Sequence, residues 1–207
     1  MKRFCVAVAL ITFSALTAVK AAPTFPGPAV DTGQAALVPV AMTPDQVLQQ
    51  GIGRLRAFLA SPAVPPAAVR AFLDQEIAPS FDFAYMARWA AGRYYQRMND
   101  SQRATFTARL SDLFLDALAR NLGTRLRPLP PIDIYTARAG RWPNEVSVTT
   151  QIRPAATLPI RLEFRFYRSP RGWRVFDVSA NGASAVTFYR RYFSERVRRF
   201  GLQAFSR

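Results

Sequence analysis

Hydrophobic and polar positions along this 207-residue chain fall into blocks of different period. An unbroken apolar run comes first, followed by an aperiodic Pro-, Gly- and Ala-rich stretch. Helical spacing then governs from Thr43 to Leu122, alternation from Ile132 to Ser179, and helical spacing again from Ala185.

Thr43-Pro44-Asp45-Gln46 opens the first helical block. Thr43 can cap, Pro44 suits the first helical position and Gln46 completes a capping box, which predicts a helix to about Ala60. Ser61-Pro62 and Pro65-Pro66 break the chain. A second helix is predicted from Pro66 to Ile77, with Val69, Phe72, Leu73 and Ile77 on one stripe and Pro79 as its stop. Asp82 can cap a third helix running to about Tyr95. The fourth is the clearest: Asn99 caps it, Gln102 sits three residues on, and Gly123 is its expected end. Phe106, Leu110, Leu113, Phe114, Ala117 and Leu118 form one face, and Leu115 and Leu122 widen it beyond an ordinary surface stripe. Arg109, Asp112, Asp116 and Arg120 form a charged ladder opposite. So wide an arc calls for two partners: a neighbouring helix, and either a sheet or a ligand.

After Pro128–Pro131 the alternating block predicts strands at Ile132–Arg138, Glu145–Arg153, Pro159–Arg168 and Trp173–Ser179. Ala139-Gly140 and Ser169-Pro170-Arg171-Gly172 supply hairpin turns. The third strand sets Ile160, Leu162, Phe164 and Phe166 on one face against Arg161, Glu163, Arg165 and Tyr167, one face buried and one wet. Asn181-Gly182 turns into a closing helix with Ala185, Tyr189, Tyr192, Phe193 and Phe200 inward. The predicted fold is α+β: helices packed on one face of a small, mainly antiparallel four-stranded sheet, enclosing an apolar cavity.

The N-terminus reads as an export signal. Lys2 and Arg3 precede the 16-residue uncharged run Phe4–Val19, and small residues follow Lys20. Val19 and Ala21 suit cleavage after Ala21, and the run is short of the roughly 20 residues of a spanning anchor. Three segments result: a signal peptide at 1–21, a disordered Pro/Gly/Ala-rich leader at 22–42 and one domain at 43–207.

Composition then narrows the chemistry. The chain has no histidine, and its single cysteine, Cys5, lies in the signal. The exported protein therefore has no disulfide, no thiolate nucleophile, no Ser-His or Cys-His pair and no usual zinc ligand set. Gly182-Ala183-Ser184-Ala185-Val186 fails as a nucleophile elbow because Val186 stands where glycine is needed. Ser184 reads instead as a helix cap, and Asp177 as one half of a structural ion pair. An enzyme is not expected, nor a metal or cofactor. Without Lys2, Arg3 and Lys20 the 28 basic residues become 25 arginines against 13 acids, a net charge of +12. Export makes nucleic acid an unexpected partner for that charge. Anionic lipid is the polyanion at hand, and a solvated surface is the other reading.

Two separated blocks carry a resemblance. The first is Met86-Ala87-Arg88 and Gly92-Arg93-Tyr94-Tyr95, followed by Ser101-Gln102-Arg103. The second is Gly172-Trp173-Arg174-Val175-Phe176-Asp177-Val178, Gly182-Ala183-Ser184, Tyr189-Arg190 and Phe193. In this order they resemble the MlaC, or toluene-tolerance, family of periplasmic phospholipid-binding proteins, from about Pro44 to Phe205. The resemblance implies a lipid pocket between sheet and helices. Matching motif positions place Leu118, Ile160, Leu162, Phe164, Val175 and Ala183 on its wall, and Phe114 and Tyr189, on inward helix faces, join them. Leu118 stands where relatives often carry tyrosine, and Phe188 where asparagine is common. The resemblance further implies a monomeric periplasmic shuttle carrying phospholipid between an inner-membrane ABC lipid transporter complex and an outer-membrane lipoprotein complex, maintaining outer-membrane asymmetry. A hopanoid-associated carrier is a close variant. The alternative is a non-transporting cationic envelope protein with a filled core, binding anionic membranes or partner proteins.

Overall fold

The computed structural model describes residues 42–61, 64–125, 130–154 and 158–201. The expected signal peptide, its cleavage point and all of the leader but Met42 lie outside the described residues. Helix α1 (Pro44–Leu59) opens on the expected box, with the Thr43 N–H donating to Gln46 Oε1 at 3.0 Å. Helix α2 is shorter than predicted, Pro66–Phe72, and passes into a π-helical turn, Leu73–Ile77, and a 3-10 turn, Ala78–Ser80. Pro79 offers no N–H and its ring crowds the carbonyl four residues back, so the backbone widens ahead of it. The Ala78 N–H then donates to Leu73 O, five residues back.

Helix α3 (Phe83–Ala91) is capped by Asp82, whose Oδ1 accepts from Tyr85 N at 2.8 Å. It ends at Gly92 (φ 54°) rather than Tyr95, and a 3-10 turn, Gly92–Arg97, follows. Asn99 and Gln102 exchange side chain-to-backbone bonds at 2.8 and 2.9 Å at the head of α4 (Asp100–Arg125). This helix runs through Gly123, a residue that weakens a helix by about 1 kcal/mol without forbidding it. The acids of its predicted ladder turn to α2: Arg70 donates to Asp112 at 2.9 Å, to Asp116, and to Asp74 at 2.9 Å. Helix α5 (Ala185–Phe200) closes the described chain.

Among the described residues the sheet has six strands where four were predicted: β1 (Ile132–Ile134), β2 (Arg138–Ala139), β3 (Glu145–Ile152), β4 (Ile160–Ser169), β5 (Gly172–Ala180) and β6 (Ala183–Ser184). All pair antiparallel in the order β1-β3-β4-β5-β6, with β2 beside β1 on β3. The predicted first strand divides around 135–137, and the turn after β5 contributes β6. Gly140 allows the tight return into β3, since a Cβ there would sit 2.7 Å from Glu145 Cβ and 2.9 Å from its backbone.

The alternation of β4 holds. Ile160, Leu162, Phe164 and Phe166 pair with Ile152, Thr150, Val148 and Val146 on the face toward α1 and α4. Between β4 and β5 the register slips: Arg165 opposes Asp177 while Phe166 opposes Val175, leaving Phe176 as the extra residue of a bulge. The other face is wet only in part. Arg161 is exposed, but Glu145 and Asp177 are buried on either side of Arg165, at 3.3 and 3.5 Å. Asp177 is thus the structural ion pair expected, and its carboxylate also accepts from Ser184 Oγ (2.7 Å) and Val186 N (3.0 Å). Ser184 caps α5 by accepting from Thr187 N at 3.1 Å.

Candidate functional site

Strand alternation and helix spacing converge on one apolar, partly open space of about 90 Å³ between α1, the π-helical turn, α4 and the sheet. Its floor is Phe164 and Phe166 of β4 with Val175 and Val178 of β5, pointing one way because their strand positions share parity across the bulge. Phe114 and Leu118, one turn apart on α4, form a side wall, and Leu73 and Ile77 of the π-helical turn another. The roof is α1, through Val47, Leu48, Gly51, Ile52 and Leu55. Ser80 supplies the one polar side chain among the described lining residues, and none of them is ionisable.

The end near α3 is closed by aromatic rings. Phe81 stacks on Phe83 with centroids 5.5 Å apart, and both meet Phe114, at 5.2 and 5.8 Å. Backbone bonding fixes this wall: Phe81 bridges Val175, and Asp82 N donates to Val175 O at 2.9 Å. The Asp82 carboxylate also accepts from the hydroxyl of Tyr167, whose ring stacks on Tyr85 at 4.1 Å. Burial, then the bond to Asp82, pushes the Tyr167 hydroxyl well above the ordinary tyrosine range. Arg174 donates to Pro79 O at 2.7 Å and holds the turn that carries Ser80.

Four of the eight sequence-derived positions, Phe114, Leu118, Phe164 and Val175, line this space together. Ile160 and Leu162 share its strand face but lie further along β4, packed in the core with Leu122 and Ile152; Leu162 is fully buried there. Tyr189 belongs to a different core, between α3, the first half of α4 and α5. Its burial there pushes the hydroxyl up to about 12. Ala183 is exposed on β6. Sequence reading missed the roof. Leu48, Ile52 and Leu55, at spacings of four and three, were the available signal that α1 lays an apolar stripe on something.

Chemically, such a space holds hydrocarbon and little else. Among its described lining residues there is no ionisable group to act as general acid or base, and no donor set for a metal.

Residues 45–207 match the family model described as "MlaC protein". Among solved structures, a phospholipid-binding protein from Ralstonia solanacearum, determined in complex with a phospholipid, matches with a TM-score of 0.66. The alignment covers 77% of this chain and 90% of that one at 20% identity, a likeness of fold.

Proposed function

We propose, because the chain belongs to the MlaC family, that it is a phospholipid-binding protein whose cavity between α1, α4 and the sheet receives acyl chain. The observation that carries this is an apolar cavity walled by two layers of secondary structure, with Ser80 as the one polar side chain among its described lining residues. Transfer of hydrocarbon into such a space is favourable by about 0.8 kcal/mol per methylene. That term is generic, so selectivity among acyl chains is weak and the headgroup stays in water. The similar fold of a protein determined with phospholipid bound supports the reading.

At about 90 Å³ the cavity is smaller than the roughly 150 Å³ that admits a benzene molecule, so loading requires the layers to part. Binding, rather than catalysis, fits a cavity whose described lining residues include no ionisable group.

The finer reading is a periplasmic shuttle of an intermembrane lipid transport system that maintains outer-membrane asymmetry. It would receive from, or deliver to, an inner-membrane ABC lipid transporter complex and an outer-membrane lipoprotein complex. Family membership and the export pattern of residues 1–21 support it. The test is a native mass spectrum of protein purified without detergent, followed by organic extraction. Phospholipid is expected, and a polycyclic lipid would point to the hopanoid-associated variant. Protein that is lipid-free and takes up no fluorescent phospholipid would overturn the proposal in favour of a non-transporting cationic envelope protein.

A further inference from the structure

Where the end of α3 meets α5, a second concavity of about 310 Å³ opens to solvent, sharing no lining residue with the apolar cavity. Ala91 and Gly92 contribute to its wall, and Arg93, Arg190 and Arg198 converge on it with Tyr94 and Ser194. Arg190, Ser194 and Arg198 stand four residues apart on α5, so one helix face presents all three. The Gly92-Arg93-Tyr94-Tyr95 segment, conspicuous in sequence, takes no part in the apolar cavity but borders this one.

Two features distinguish these guanidinium groups from solvated surface charge. The first is the lack of counter-ions: among the described residues, none of the three lies within ion-pair distance of a carboxylate. Several acids are engaged elsewhere, Arg70 alone taking Asp74, Asp112 and Asp116. The second is preorganisation. Arg190 Nε and Nη2 donate to Trp89 O at 2.9 and 2.5 Å, which neutralises the carbonyl end of α3 and fixes the guanidinium plane. Its remaining N–H donors are left for the concavity. Gly92, at φ 54°, turns the chain there, and its Cα carries no side chain to screen Arg190. Arg93 Nη2 donates to the Tyr94 hydroxyl at 3.1 Å. Three cations with two already oriented suit a tetrahedral oxyanion, for which the planar fork of arginine is the natural donor.

We propose that this concavity is a phosphate-binding site, distinct from the apolar cavity, taking a phosphate monoester or diester. The group can arrive as free phosphate or on a lipid headgroup at a bilayer surface, and the two sources are separable. Exported protein is titrated with inorganic phosphate by calorimetry at constant ionic strength. It is also sedimented with vesicles of phosphatidylcholine alone or mixed with phosphatidylglycerol. The test variant is Arg93→Gln/Arg198→Gln, which removes no ion pair and spares Arg190. The control, Arg141→Gln/Arg168→Gln, removes equal charge from two exposed arginines that lie over Trp142 and Trp173.

Saturable uptake of inorganic phosphate, weakened at least tenfold in the test pair and less than twofold in the control, assigns free phosphate. Binding only to phosphatidylglycerol vesicles, with the same contrast between pairs, assigns the headgroup. In both cases lipid extracted from the test pair should equal that from the parent, which keeps this site separate from the acyl-chain reading. Equal weakening in both pairs, or no binding by the parent to either probe, overturns the proposal.

Discussion

Filling the apolar cavity should make the protein more stable and less functional at once. Gly51 lies on the roof helix α1 and lines the cavity, and a Cβ added there would meet only Ile77 Cδ1, at 4.0 Å. Gly53, two residues on, has nothing within 4 Å of its added Cβ. Either glycine weakens α1 by about 1 kcal/mol relative to a good helix former. Only Gly51 also addresses the void. A cavity of about 90 Å³, at roughly 24 cal/mol per Å³, withholds about 2 kcal/mol from the folded state. Gly53→Leu should therefore gain about 1 kcal/mol, and Gly51→Leu up to about 3, less whatever overpacking costs. For a domain of this size each kcal/mol is worth roughly 2–4 °C in Tm. Urea denaturation of delipidated protein reads the stability, and extraction of protein purified without detergent reads the lipid. Gly53→Leu should carry the parental amount and Gly51→Leu little. Should Gly51→Leu fold and still carry a full complement, acyl chain does not occupy this space. Gly51→Val is the fallback if leucine proves too large.

Three further outcomes are expected. Asp177→Asn removes the charge that pairs Arg165 and receives Ser184 Oγ and Val186 N, and should cost about 2 kcal/mol in urea denaturation; an unchanged midpoint would remove Asp177 as the anchor of α5. Burial raises Tyr189 from 10.0 to about 12, so its contribution to stability is complete below pH 10 and is lost as pH climbs toward 12. Tyr189→Phe should lose less stability than the parent over that window, and parallel curves would refute the assignment. Intact mass of exported protein should correspond to a chain beginning at Ala22; a membrane-bound species retaining Met1 would show the apolar run to be an anchor instead.

Much of this architecture can be read from residue order because its determinants are local. The Asn99/Gln102 cap and the parity of Ile160, Leu162, Phe164 and Phe166 depend on neighbours a few positions away. The departures come where distant groups decide. The bulge at Phe176 exists only once β4 and β5 are paired, so no pattern within β5 announces it. The π-helical turn is a compromise between Pro79 and the α2 that precedes it. Leu118, Phe164, Val175 and Phe114 fall where the wide α4 arc meets the apolar strand face. Tyr189 looks identical in sequence, an inward aromatic on an amphipathic helix, yet faces a different core. The roof went unread because α1 shows that it is amphipathic but not what its stripe covers.

That roof has a kinetic side. Leu48 packs with Val148, Phe166, Val175 and Val178, all a hundred or more residues downstream. Such contacts form only after a long loop has closed, whereas α3 and α4 are sequence neighbours and β3, β4 and β5 are joined in succession. The α3–α4 pair and the β3–β5 meander can therefore assemble early, leaving a trough over which α1, like α5, closes across a long loop. Partial unfolding retraces this order, so α1 amides are expected to exchange with deuterated solvent through a local opening, while those of β4 and β5 await global unfolding. The same excursion bares the hydrocarbon-lined floor, which would tie the rate at which lipid enters the proposed site to a late step in folding.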